Sequence, residues 1–233
     1  GSGIRQRPVE APWYAGPTLL EVLDRFSSRG DEADGSFVFP VQDVYERKGT
    51  EILVGTVATG RVGQGDELHT LPGDERLFVA RIEVFNEDRT RASAGESIGL
   101  VLDRPGKARR GDVLVSDGSP AFCSDRLRAS VFWIGPGQLR PSAPLVLRCS
   151  TQTAAVTEMI VESRVDSSTL EELDPAGALC PTEVADVEVR TVHRCVATCF
   201  SDLAELGRFV LEQDGAVAAG GVVTGSGARG TSG

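Results

Sequence analysis

Three neighbouring stretches decide the fold: Phe39-Pro40-Val41-Gln42-Asp43-Val44-Tyr45, then Gly55-Thr56-Val57-Ala58-Thr59-Gly60-Arg61-Val62, then Gly65-Asp66-Glu67-Leu68. Short apolar runs are split here by turn residues, at the spacing of roughly 8–12 residues found in sandwiches and barrels. Gly55 and Gly60 permit a tight bend or a close backbone approach within a long strand pair, and Gly65 serves a hairpin turn. Working outward, strands are expected at 37–45, 51–62, 66–71, 76–85, 97–102 and 112–116. Gly63-Gln64-Gly65-Asp66, Pro72-Gly73-Asp74 and Arg110-Gly111-Asp112 are turns, where glycine supplies positive φ and aspartate bonds its own backbone. Short strands without a long helix cannot cover a parallel sheet. A closed antiparallel barrel removes the exposed edges instead.

Ser116-Asp117-Gly118-Ser119-Pro120 concentrates turn-forming residues and marks a domain boundary. Strands resume at 125–134, 144–150, 153–164, 184–192, 194–199, 207–212 and 216–223. Ser168-Thr169-Leu170-Glu171 has the spacing of a capping box and predicts a short helical turn. Before the first barrel, Thr18-Leu19-Leu20-Glu21 is another capping box, with Leu23 and Phe26 at helical spacing, so a helix is expected over about 18–27. Gly1-Ser2-Gly3 reads as a cloning remnant. The fold class expected is all-β: two consecutive antiparallel β-barrels of translation-factor type preceded by a short linker helix. The domains are 1–34 (remnant, linker and helix), 35–118 and 119–223 (barrels), and 224–233, a Gly/Ser-rich tail expected to be mobile.

The chain has 233 residues, 40% hydrophobic and 25% charged, an ordinary globular balance. No apolar run reaches the ~18–20 residues that span a bilayer. The net charge of −10 argues against a dedicated nucleic-acid binder, which needs a positive surface. Five cysteines without a secretory signal imply reduced thiols and a cytoplasmic location.

The opening stretches resemble the second domain of translational GTPases such as elongation factor Tu. Ala94-Gly95-Glu96-Ser97-Ile98-Gly99-Leu100 and Arg110-Gly111-Asp112-Val113-Leu114 sit where that family has further motif strands, though Ala94 and Glu96 depart from the first pattern. Phe200-Ser201-Asp202 with Leu206-Gly207-Arg208-Phe209-Val210-Leu211 looks like the end of the third domain. Two segments resemble the GTPase large subunit of sulfate adenylyltransferase: Trp13-Tyr14-Ala15-Gly16-Pro17-Thr18-Leu19-Leu20-Glu21, and more loosely Arg164-Val165-Asp166-Ser167-Ser168-Thr169-Leu170-Glu171. Trp133 fits the same subunit. The resemblance implies a module that couples GTP hydrolysis to adenosine 5′-phosphosulfate synthesis. Its implied partners are a missing N-terminal GTPase domain and a small catalytic subunit. The alternative is a translation-factor module that binds aminoacyl-tRNA.

The GTPase signature itself is missing. Gly106-Lys107-Ala108 contains the only Gly-Lys pair, and alanine cannot ligate Mg²⁺ in place of the P-loop Ser/Thr. Asn86 is the only asparagine and precedes Glu87, so Asn-Lys-x-Asp cannot occur. GTP and Mg²⁺ are therefore expected in the missing domain, and no residue here carries a catalytic, cofactor or metal assignment. His193-x-Cys195-x3-Cys199 reads as strand residues, with His193 and Cys195 on one face, because zinc needs four ligands. Arg104, Lys107, Arg109 and Arg110 cluster in one loop and are the candidate partner or anion contacts. A free-standing interaction domain is a third reading; the helix at 18–27, which looks like the end of a preceding domain, speaks against it.

Overall fold

The computed structural model describes residues 35–84, 87–139 and 144–227. The expected helix at 18–27, the rest of 1–34, and 228–233 lie outside the described residues. The first set of strands is β1 (Val38–Arg47), β2 (Thr50–Thr56), β3 (Arg61–Gly63), β4 (Glu67–Leu71), β5 (Arg76–Val84), β6 (Glu87–Arg89), β7 (Arg91–Ser93), β8 (Ser97–Leu102) and β9 (Val113–Val115). The hydrogen-bonded order β4-β9-β1-β2-β8-β5 closes through a β4–β5 pairing, with β6 appended and β3–β7 a separate ribbon. All pairings are antiparallel. Phe39, Leu53, Leu68, Leu77, Ile82, Leu100 and Leu114 fill the interior.

The second set is β10 (Phe122–Trp133), β11 (Leu145–Cys149), β12 (Gln152–Asp166), β13 (Glu172–Leu173), β14 (Glu183–Ala197), β15 (Arg208–Gln213) and β16 (Ala216–Ser226), with the helical turn α1 (Ala204–Gly207) before β15. Here the order β11-β15-β16-β10-β14-β12 closes through β11–β12. Leu127, Ala129, Val131 and Trp133 of β10 point inward at period two, against Leu147, Val187, Val189 and Leu211. Complete burial of each large aliphatic or aromatic side chain contributes about 1.5–3 kcal/mol. The chain is therefore all-β with two closed six-stranded antiparallel barrels.

The barrels meet through a third apolar cluster: Val38, Ala58, Val113 and Val115 from the first, Val196, Leu203 and Leu206 from the second. This seam explains two runs that do not alternate. Val113-Leu114-Val115 is buried throughout, because Leu114 points into its barrel while its neighbours face the seam. Cys195-Val196-Ala197 repeats the arrangement from the other side. The Gln152 amide extends the ladder at the seam, donating to the Val196 carbonyl and accepting from the Val196 N–H, each at 2.8 Å.

Several expectations need correction. The run 51–62 is not one strand: β2 stops at Thr56, and the chain turns at Gly60, φ +74°, before β3. The segments 184–192 and 194–199 are one strand, β14, whose register slips opposite Ser124/Arg126. Ser168–Glu171 is not helical. Asp166 accepts the N–H groups of Ser168 (2.7 Å) and Thr169 (3.1 Å), so the polar pattern caps a β12–β13 hairpin turn. The tail begins later than expected, because β16 pairs with β10 as far as Ser226 opposite Leu127. The charged strands β6 and β7 and the four-residue α1 carry no periodic apolar signal.

Gly60 has two reasons to be glycine. Its φ is positive, and a Cβ there would lie 2.6 Å from the Gly35 carbonyl oxygen and the Phe37 nitrogen. Gly60→Ala is expected to cost about 2 kcal/mol or more. Urea denaturation checks this, and an unchanged midpoint would contradict it.

Candidate functional site

The basic loop between β8 and β9 is built as a brace. Arg104 donates to the Arg76 carbonyl and lies near Asp103. Lys107 Nζ reaches Glu75 at 3.0 Å. Arg109 Nε lies 3.8 Å from Asp112 Oδ1. Arg110 donates to the carbonyl of Gln42, which sits in the β1 bulge between Val41 and Asp43. A bulge interrupts the ladder and leaves its extra residue unpaired, and the guanidinium supplies a donor there. The structure thus brings the four cations into one loop and gives each an acceptor on its own barrel.

The same loop holds the Gly106-Lys107 pair. The Gly106 N–H, which a phosphate-binding loop would aim at its ligand, donates to the Glu51 carboxylate at 2.9 and 3.0 Å. Lys107 is held by Glu75. Both members of the Gly106-Lys107 pair are therefore engaged by carboxylates of their own barrel.

The outer wall of the first barrel holds a groove of about 520 Å³ between β1, β2, β8 and β5. Its floor is Gly55 and Gly99, in register with Ile98 and Val54. A Cβ on Gly99 would meet an Ile52 methyl at 2.7 Å, so glycine lets Ile52 fold over the floor. Tyr45, paired with Ile52 and 55% exposed, stands at the mouth. Arg47, Glu83 and Ser97 supply polar groups. An apolar floor with an aromatic side chain and both charge signs at its edge suits a flat or apolar group carrying polar substituents. Gly55 and Gly99 lie far apart in sequence, and only the pairing of β2 with β8 brings them together.

The distal end of the second barrel is locked by a buried ion pair. Arg164 Nη1 lies 3.1 Å from Glu183 Oε2, with side chains 11% and 10% exposed. Arg164 also donates to the carbonyls of Asp174 and Ala178, and Glu183 accepts the Cys180 N–H at 3.0 Å. Nearby, Trp133 Nε1 donates to the Gly137 carbonyl at 2.8 Å. These bonds pin the 174–183 loop over the core.

His193 and Cys195 do not share an environment. The slip in β14 leaves Val192, His193 and Arg194 exposed in succession, whereas Cys195, Val196 and Ala197 are buried. Among the described residues no group of three or more His, Cys, Asp or Glu side chains is placed to hold a metal ion. Burial pushes the Cys149 thiol up to about 12 and raises Cys195 and Cys123, which keeps these thiols protonated and unreactive. No helix among the described residues is long and apolar enough to cross a membrane.

Residues 126–224 match the family described as GTP-eEF1A C-terminal domain-like. Elongation factor 1-alpha of Methanosphaerula palustris is 29% identical over 228 residues, covering 95% of this chain and 53% of that protein. Sulfate adenylyltransferase subunit 1 of Aliivibrio fischeri is 30% identical over 210 residues, covering 87% of this chain and 43% of the subunit. A solved structure of Sup35 complexed with GDP superposes with a TM-score of 0.77 at 23% identity, over 97% of this chain and 56% of that one. Residues 126–224 thus match a GTP-eEF1A C-terminal domain-like family, and the chain as a whole is similar to the C-terminal β-barrel regions of elongation-factor-type GTPases. It spans about half the length of the curated relatives it matches.

Removing one member of the buried pair strands the other. Glu183→Ala is expected to destabilise by about 3–5 kcal/mol, and Arg164→Met with Glu183→Leu to restore much of it, in urea titrations. Equal losses for the single and double variants would contradict the role of the pair. Asp112 is a second test. Burial raises its carboxyl above the usual value, outweighing the Arg109 N–H and charge that lower it. A raised folded-state pKa means that stability is lost as pH climbs from the ordinary carboxylate value through the folded one. Asp112→Asn removes that loss, so its advantage over the parent is expected to grow with pH across that window. A pH-independent difference would count against the assignment.

Proposed function

We propose that this chain is the non-catalytic barrel module of a sulfate-activating GTPase, of the type of the large subunit of sulfate adenylyltransferase. In this reading a preceding domain binds GTP and Mg²⁺, and the barrels couple hydrolysis there to adenosine 5′-phosphosulfate formation by a small catalytic subunit in the cytoplasm. The observation that carries it is the state of the basic loop. Arg104, Lys107, Arg109 and Arg110 each contact an acceptor on their own barrel, in a chain of net charge −10. Binding a nucleic-acid backbone requires cations that displace counterions from phosphates, and Arg104, Lys107 and Arg110 are drawn onto acceptors of their own barrel while Arg109 stays 86% exposed. The similarity to sulfate adenylyltransferase subunit 1 supports the same choice. So does the ordered hairpin formed by the 164–171 segment.

A second reading, a translation-factor module that holds the aminoacyl end of a tRNA, is favoured by the groove at Tyr45, Arg47 and Glu83 and by the similarity to elongation factor 1-alpha. One experiment separates the two. With a GTPase domain joined upstream, the chain is expected to co-purify with the small catalytic subunit and to make adenosine 5′-phosphosulfate formation GTP-dependent. Aminoacyl-tRNA is expected to bind no more tightly than to an unrelated acidic protein. Salt-sensitive tRNA binding without a small-subunit complex would reverse the choice.

A further inference from the structure

The outer wall of the second barrel carries an apolar row set by strand register. Val165 of β12 stands opposite Val184 of β14, and Val184 opposite Phe132 of β10. Opposed residues share a face, so three apolar side chains from adjacent strands line up outside while Trp133 and Ala185 point into the core. Phe132 is 40% exposed and Val184 37%. Ile134, two residues further along the same side of the chain, is 53% exposed. Beyond Phe132 the row meets Gly220 of β16. Nothing lies within 4 Å of where a Cβ on Gly220 would sit, so a notch opens beside the ring. At the other end the β12–β13 hairpin presents Leu170, 77% exposed with φ +60°. Leucine seldom adopts that conformation unless its surroundings enforce it. Asp166 enforces it here, with its carboxylate on Ser168 and Thr169 and its carbonyl accepting the Leu170 N–H at 2.8 Å.

The β12–β13 side of this row is acidic. Glu162, Glu171, Glu172 and Asp186 are exposed around it, while Arg164 is turned inward onto Glu183. An acidic margin repels a second copy of the same face, a phosphate backbone and an anionic lipid surface. It complements a protein surface whose apolar side chains are ringed by Lys and Arg. The row also lies at the far end of β10 from Ala121 and Cys123, which pack at the seam, so a protein seated there leaves the first barrel free.

We infer that Phe132, Ile134, Val165 and Val184, with Leu170 at their edge, form the docking face for the small catalytic subunit, whose matching surface carries apolar side chains within a basic rim. The identity of this occupant rests on the sulfate-activation reading above. The test uses the whole chain and the purified small catalytic subunit, with titration calorimetry as the readout. Phe132→Asp and Val184→Asp are each expected to weaken Kd about 30-fold or more. Glu171→Lys with Glu172→Lys is expected to slow association and flatten its salt dependence. Val192→Asp, at a site 54% exposed elsewhere on β14, is expected to leave Kd unchanged. Circular dichroism and thermal melts confirm that each variant folds. Unweakened binding by both aspartate variants overturns the docking face and leaves the sulfate-activation reading standing. An intact chain that fails to bind, with or without a GTPase domain upstream, overturns that reading and the assigned occupant with it. Self-association that Phe132→Asp abolishes identifies a second copy as the occupant and also overturns the proposal.

Discussion

Each barrel depends on one closing pairing. Leu68 of β4 meets Leu77 of β5 in the first, and Leu147 of β11 meets Ala154 of β12 in the second. These pairs join what would otherwise be the two free edges of a twisted sheet, and an exposed edge recruits other strands. Closure also forces the side chains of every strand to divide between a packed interior and an outer wall. The interior supplies stability. The outer walls, relieved of that duty, hold the groove on the first barrel and the apolar row on the second.

Where two closed barrels pack together, a few residues must face a second interior. Val113, Val115 and Val196 do so, while Leu114, Cys195 and Ala197 each face the core of their own barrel. Strands buried on both faces lose the hydrophobic alternation that marks the rest. The seam is thus built where a barrel strand reads as a continuous apolar run, and within the second barrel Gln152 of β12 holds the Val196 backbone at that edge.

Much of this fold is legible in the residues alone. Short apolar runs divided by Gly and Asp turns specify strands, up to the points where the local signal stops. Ser168-Thr169-Leu170-Glu171 reads as a helix start because a hydroxyl and a carboxylate three residues apart serve a helix cap. In the folded chain Asp166, two residues upstream of Ser168, takes the exposed amides first. His193 and Cys195 read as strand residues on one face because residues i and i+2 alternate together, and the register slip in β14 breaks that alternation. The loop cations were visible as a cluster, but their acceptors are backbone carbonyls and carboxylates from β1, β5 and the turn before it, which only the closed barrel brings near. The groove and the apolar row were hidden for the same reason, since each draws on several strands distant in sequence.

The strand β10 has a mechanical consequence. It runs for 12 residues from the seam to Trp133, about 40 Å at ~3.3 Å per residue, with register shifts at Ser124/Arg126 and Arg128/Ala129. From Leu127 to Trp133 it is bonded on both sides, by β14 and β16, so this distal half resists bending. A stiff rod anchored at one end is a lever. A tilt of about 10° between the barrels would sweep its far end through about 7 Å, more than the spacing between neighbouring strands. Small rearrangements at the seam are therefore enlarged, not damped, by the time they reach the opposite pole of the molecule.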